Sequence, residues 1–219
     1  EHQLMGRLGL LLGTIHMRRG SVRASQECFE SALFSYRRID HPYGIASALN
    51  NLGILLKNGS RWADAQDYLV RAIAVSEEAG HYGLLASLNA NLGILYTKLC
   101  EWEAARRHLS RAVTIHKEVG NTLSLVRARL ALGHLHRRQG QVELAASEYV
   151  EARRLAEEHA YGREIVLCFE ADADLLVTAG RFSAARDLLH QGVDLAQGVA
   201  PDGDLLPELE RRLAAIAVA

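Results

Sequence analysis

The chain has 219 residues, is 49% hydrophobic and carries a formal net charge of −1. It is long and apolar enough to bury a continuous core, and its near-neutral balance sets up no global field for nucleic acid or an anionic membrane. No apolar run approaches the roughly 18–20 residues of a membrane span and no signal peptide opens the chain, so a cytoplasmic protein with no membrane and no direct nucleic-acid contact is expected.

Only three prolines occur, Pro42, Pro201 and Pro207, and abundant Ala, Leu, Glu and Arg favour helices over strands. The pattern predicts helices at about 3–19 and 21–38, then 41–58 and 61–79, 82–98 and 101–119, 122–139 and 141–159, 161–179 and 181–198. A last helix, about 204–218, takes the place of a sixth first helix and acts as a cap. The next turn residue falls due at position 220, one past the end, and the chain starts at Glu1 without a methionine. A fragment of a longer protein is therefore expected, folded here as one domain over 1–219.

The prediction rests on an internal repeat. Gly13, Gly53, Gly93 and Gly133 are 40 residues apart, each preceded by Leu12, Leu52, Leu92 or Leu132. Gly20, Ser60, Cys100, Gly140 and Gly180 keep the same step, followed by Val22, Trp62, Trp102, Val142 and Phe182. Small residues recur at Ser25, Ala65, Ala105, Ala145 and Ala185, and again at Ala32, Ala72, Ala112 and Ala152. Large ones recur at Phe29, Leu69, Leu109, Tyr149 and Leu189. The repeats are about 1–40, 41–80, 81–120, 121–160 and 161–200. A glycine inside a helix is unfavourable by about 1 kcal/mol, so its recurrence implies close approach of another helix. The second small series ends the first helix and permits the turn. The residue after it opens the second helix and plugs the corner, and the large column fills the space between layers.

Stretches 49–75 and 88–115, with their Leu-Gly, Ala and Ala spacing, resemble the tetratricopeptide repeat family. The usual period of that family is about 34 residues. Here it is 40, Glu77 stands where a closing proline is usual, and the variant is similar to repeats of kinesin light chains, Asn-Leu-Gly adaptors and bacterial regulators. HEAT or armadillo repeats share the period but not this spacing. The resemblance implies an all-α, right-handed superhelical solenoid of antiparallel helix pairs. First helices would line its concave face. Residues 157–189 and 200–205 also resemble sensory regions of bacterial transcription regulators.

No phosphate loop, nucleophile elbow or HExxH is present, so no enzyme and no cofactor are expected. His134 and His136 point about 200° apart on a helix and cannot share one metal. His41 and His81 open helices at equivalent positions and read as structural. Cys28, Cys100 and Cys168 read as reduced thiols packed as small apolar side chains. Glu170, Asp172 and Asp174 form a small acidic cluster, although Asp172 falls on the apolar Leu column, implying a rotated repeat or a loosened layer.

The first four first-helices carry Arg7, Arg18, Arg19, Lys57, Lys98, Arg127, Arg129, Arg137 and Arg138 and no Asp or Glu. The fifth reverses sign through Glu164, Glu170, Asp172 and Asp174. Several of the cations sit at helix C-termini, where the dipole favours them. Arg7, Arg127 and Arg129 do not. Asn51 and Asn91 stand two before the Gly, where the family hydrogen-bonds extended peptides. An asparagine offers donor and acceptor together, and Asn–Asn bonding between helices is the structural alternative. With Asn50, Lys57, Lys98, Arg127, His134 and Arg138 they outline a groove for a protein or peptide, expected to be acidic. The expectation is a protein–protein interaction scaffold, with a signal-sensing regulatory domain of a bacterial transcription activator as the alternative. The first helix, apolar on more than one face, also suggests self-association.

Overall fold

The computed structural model describes residues 1–199 and 205–217. They form α1 (His2–Arg18), α2 (Val22–Arg38), α3 (Pro42–Asn58), α4 (Trp62–Glu78), α5 (Tyr82–Lys98), α6 (Trp102–Glu118), α7 (Thr122–Arg138), α8 (Val142–Glu158), α9 (Gly162–Thr178), α10 (Phe182–Val199) and α11 (Leu205–Ala217). No strand occurs among the described residues. The predicted helices all form, within one or two residues of their expected ends. Positions 204 and 218, Pro201 and the rest of 200–203 lie outside the described residues.

The helices pack into two compact units, 1–119 and 120–219. In the first, α1 pairs with α2, α3 with α4 and α5 with α6, and α2–α3 and α4–α5 contacts join the pairs. In the second, α7 pairs with α8 and α9 with α10, α8 packs on α9, and α11 closes against α10.

The turns repeat one device. At the end of α1 the Ser21 N–H donates to the His16 carbonyl at 2.9 Å and the Gly20 N–H to Met17 at 3.1 Å. This closure needs a left-handed residue, here Gly20 with φ 73. Ser60 and Cys100 occupy the same place with φ 60 and 61. Cys100 is therefore exposed at a turn rather than packed as a small apolar side chain, whereas Cys168 is buried.

The glycine and large-residue columns are two halves of one contact. A side chain at Gly13, Gly53, Gly93 or Gly133 would collide with Phe29, Leu69, Leu109 or Tyr149, respectively. The large column thus seats first on the glycine of its own pair, and does not merely fill the space between layers. Tyr36 adds a link between pairs, because side chains at Gly6 in α1 and Gly44 in α3 would both meet its ring. The residue opening each second helix covers the corner only in part: Val22 is more than half exposed, and Val142 and Phe182 more than a third. Asp172 sits neither in a rotated repeat nor in a loosened layer. It is half-buried in α9, 3.0 Å from the Arg153 guanidinium of α8.

Candidate functional site

In the first unit α3 and α5 lie side by side. Successive first helices are one repeat step apart, so residues about 40 apart in sequence become neighbours across them. Asn50 and Asn91 meet this way: Nδ2 of Asn91 donates to Oδ1 of Asn50 at 2.8 Å. Both are half-buried, as is Asn51. The bond leaves the Asn91 carbonyl as an acceptor and the Asn50 amide as a donor.

One or two turns further along, Lys57 and Lys98 end the same two helices. Burial lowers the Lys57 pKa first, and the charge of Lys98 lowers it further. The Lys98 ammonium also lies over the Trp62 ring, 5.6 Å from its centroid. Behind this face Asn89 is fully buried, bonded to the Leu85 carbonyl at 2.9 Å and to the His108 ring at 2.8 Å. It orders the layer under the two half-buried asparagines.

The second unit places Arg127, His134 and Arg138 on α7. Arg127 is already engaged: its Nε and Nη2 donate to Oε1 of Glu164 at 2.9 and 2.6 Å. Glu164 is buried in the first turn of α9, where the helix dipole also favours its charge. Arg129 pairs with Glu148 at 2.8 Å, and Arg137 with Asp174 at 3.2 Å. Arg212 of α11 reaches the same Asp174 at 2.6 Å. The acidic reversal of the fifth repeat is thus consumed largely inside the unit by the arginines of α7, α8 and α11.

His134 is a packing partner as well as a face residue. Its Nδ1 lies 2.8 Å from the Tyr149 hydroxyl. Burial, with a further push from Arg137, lowers its pKa to about 4. A neutral ring therefore accepts the tyrosine proton at ordinary pH. His136 bonds Gln141 at 2.7 Å instead, so the two histidines diverge. Among the described residues no group of three His, Cys, Asp or Glu could hold a metal ion. No helix of the described residues is long and apolar enough to cross a membrane.

Sequence reasoning by helix missed Asn89 and Arg212, and did not see the contacts that Glu164, Tyr149 and Trp62 make with Arg127, His134 and Lys98. The signal for the pairs between helices lay in the repeat itself: the ion pairs Arg127–Glu164 and Asp174–Arg212 and the amide pair Asn50–Asn91 are separated by 37, 38 and 41 residues. Each is one step, give or take a turn.

The comparisons agree with this architecture. Two models described as tetratricopeptide repeat match residues 83–158 and 45–79, together just over half of the chain. No curated protein matches significantly. Among solved structures, the chain is similar to NprR in complex with its cognate peptide NprX, with a TM-score of 0.70 at 16% identity over 100% of this chain and 62% of that one. It is similar to the Rap conjugation gene regulator of plasmid pLS20 in complex with the Phr* peptide, with a TM-score of 0.74 at 15% identity over 92% of this chain and 56% of that one. It is also similar to the TPR-like repeats of a Podosopora anserina putative kinesin light chain, with a TM-score of 0.70 at 15% identity over 92% and 99%. At these identities the likenesses speak to fold, and the matched models speak to ancestry. With glycine and large-residue columns interlocking pair by pair, the chain belongs to the tetratricopeptide repeat family.

Proposed function

We propose that the chain is a protein-interaction scaffold that holds a peptide segment of a partner, with α3 and α5 as its principal grip. The observation that carries this reading is the half-buried Asn50–Asn91 pair at 2.8 Å. Its remaining carbonyl and amide match the donor and acceptor of one extended peptide unit. Burial and, after it, the charge of Lys98 lower the Lys57 pKa, and a carboxylate beside Lys57 offsets both. The ligand is therefore an acidic peptide or tail. Arg127 of the second unit contributes less than its charge suggests, because Glu164 already holds it; Arg138 and His134 lie on the same helix, α7.

A second reading, a signal-sensing regulatory domain, draws support from the peptide-bound regulator among the similar structures. It makes the peptide the signal and leaves the site unchanged.

Selection from a random peptide library against residues 1–219 tests the proposal. The selected peptides should be enriched in Asp and Glu and lose affinity several-fold between low and high salt. Asn51→Ala/Asn91→Ala, checked for intact helicity, should weaken them at least several-fold. Selected peptides that bind the double variant unchanged overturn the assignment.

A further inference from the structure

The start of α3 and the end of α4 enclose a cavity of about 280 Å³, lined by Asp40, Pro42, Ile45, Val75, Glu78 and Ala79. Pro42, Ile45 and Val75 are half-buried and form apolar walls, while Asp40 and Glu78 are exposed at the rim. The repeat explains why the space is open here. Ile39, Val119, His159 and Val199 stand where Ala79 does, at whole repeat steps from it. In the fifth repeat Val199 leans over the start of α9, where a side chain at Gly162, the equivalent of Pro42, would meet it. The methyl of Ala79 is too short to fill that space.

The rim carries negative charge that the chain does not answer. The other three acids of α4 are paired, Asp64 with Arg61, Asp67 with Arg71 and Glu77 with Arg111. Among the described residues no hydrogen bond or ion pair engages the carboxylate of Glu78 or of Asp40. Arg37 and Arg38 end α2 but pair with neither. Glu78 closes α4, whose last turn holds no basic residue, so the carbonyl end of the helix dipole adds to its charge. Asp40 holds its turn with φ 45, where Gly80 and Gly120 hold φ 66 and 69. A side chain is disfavoured in that conformation, and this one brings a second unpaired carboxylate to the cavity mouth.

We infer that the cavity receives an arginine side chain of a partner protein. Its apolar walls suit the aliphatic stem, which long cationic side chains bury while the charged head stays in water. Asp40 and Glu78 belong to different elements, a turn and a helix end. A planar guanidinium presents a fork of donors that can bridge two such acceptors, whereas an ammonium is a compact, strongly hydrated point charge. The volume lies just under the roughly 300–1,000 Å³ of sites for drug-sized ligands, which fits one side chain rather than a cofactor. The cavity is at the end of α3 opposite Lys57, and its test is independent of the asparagine reading.

The probe is the blocked tripeptide acetyl-Gly-Arg-Gly-amide, titrated into the 1–219 chain while backbone amide signals are followed by NMR. The expected result is a set of saturable shifts centred on residues 40–45 and 75–79. Citrulline in place of the arginine keeps its shape, removes its charge and should weaken binding several-fold. Lysine in its place should also bind several-fold more weakly. Two variants divide the site. Ala79→Val fills the cavity with the residue that Val119 and Val199 place there in other repeats, and should weaken binding at least several-fold. Asp40→Gly/Glu78→Gln keeps the cavity, gives the turn the residue found at Gly80 and Gly120, and should weaken binding several-fold as well. The spectrum of each free variant establishes its folding before titration. No saturable shift at these residues, equal binding of the citrulline or lysine peptide, or unchanged binding by either folded variant overturns the inference.

Discussion

The ring of Tyr149 occupies the space that any side chain at Gly133 would need. This contact joins α7 to α8, and its equivalents at Gly13, Gly53 and Gly93 join the pairs of the first unit. Tyr149 is fully buried, so the ring has nowhere to move. Gly133→Ala should destabilise the protein by about 1–3 kcal/mol through overpacking, despite a helix-propensity gain of about 1 kcal/mol. Gly83, in the first turn of α5, has nothing within 4 Å of an added methyl. Gly83→Ala should therefore stabilise by about 0.5–1 kcal/mol. Urea unfolding of the two variants separates a glycine required by contact from one that is merely tolerated. If both shift the midpoint the same way, the interlock is not what fixes the column.

The same Tyr149 couples packing to pH through His134. Its Nδ1 accepts from the hydroxyl only while the ring is neutral, and burial and Arg137 lower its pKa to about 4 from the ordinary 6.5. The unfolded chain thus binds a proton in a range where the folded one does not. Stability contributed by the neutral ring is complete above pH 6.5, falls as pH drops through the window, and is lost near pH 4. His134→Gln keeps a polar partner for Tyr149 and removes the titration. The difference in unfolding free energy between the parent and this variant should change between pH 7 and pH 5, the parent losing more. A constant difference would show that His134 titrates normally.

Much of this was legible beforehand because the repeat is strict. Helix ends followed from the Gly20, Ser60, Cys100 series, since each residue there must adopt the left-handed turn that stops a helix. An Asn–Asn bond between helices was legible only as an alternative, and for Asn51 with Asn91; the bond that forms joins Asn91 to Asn50 instead, because one step of spacing brings side chains near each other without saying which of them bond. The basic strip was misjudged in the second unit for a different reason. Charges were counted helix by helix, while Arg127 and Arg137 find Glu164 and Asp174 across a neighbouring helix, 37 residues on. A tally along one helix does not see a pair made between two. The burial of Glu164, which makes its pair structural, is a tertiary fact that no local pattern carries.

That burial makes Arg127 a risky residue to mutate in a binding experiment. Glu164 is almost wholly enclosed, and Arg127 supplies two donors to one of its oxygens. Arg127→Ala leaves a buried carboxylate to its helix N-terminus alone. The loss should be about 1–3 kcal/mol, below the usual figure for a fully buried pair because the guanidinium is half in water. Arg127→Ala/Glu164→Gln should recover part of it, since a neutral amide tolerates the site better than an unpaired charge. Denaturation of the single and double variants measures this directly. No recovery would mean that the pair is not coupled as drawn.

The turns between pairs offer a test in the stabilising direction. Ala160 closes α8 with φ 54, while Gly80, at the equivalent turn after α4, holds φ 66. An alanine in the left-handed region is disfavoured by about 1–2 kcal/mol, because its methyl crowds the following carbonyl. Its backbone bonds are otherwise intact: the Tyr161 N–H donates to Ala156 at 2.9 Å and the Ala160 N–H to Glu157 at 3.1 Å. Ala160→Gly removes the crowding and leaves those bonds in place. It also frees the unfolded chain, which offsets about 0.5–1 kcal/mol of the gain. The net should be a stabilisation of up to about 1 kcal/mol, read as a rise in melting temperature. Gly140, with φ 74, should show the reverse, Gly140→Ala lowering it. Because the two sites flank α8 at opposite ends, opposite signs would tie the effect to backbone conformation rather than to any contact of that helix. A fall in melting temperature for Ala160→Gly would mean that the freed unfolded chain outweighs the crowding relieved at this turn.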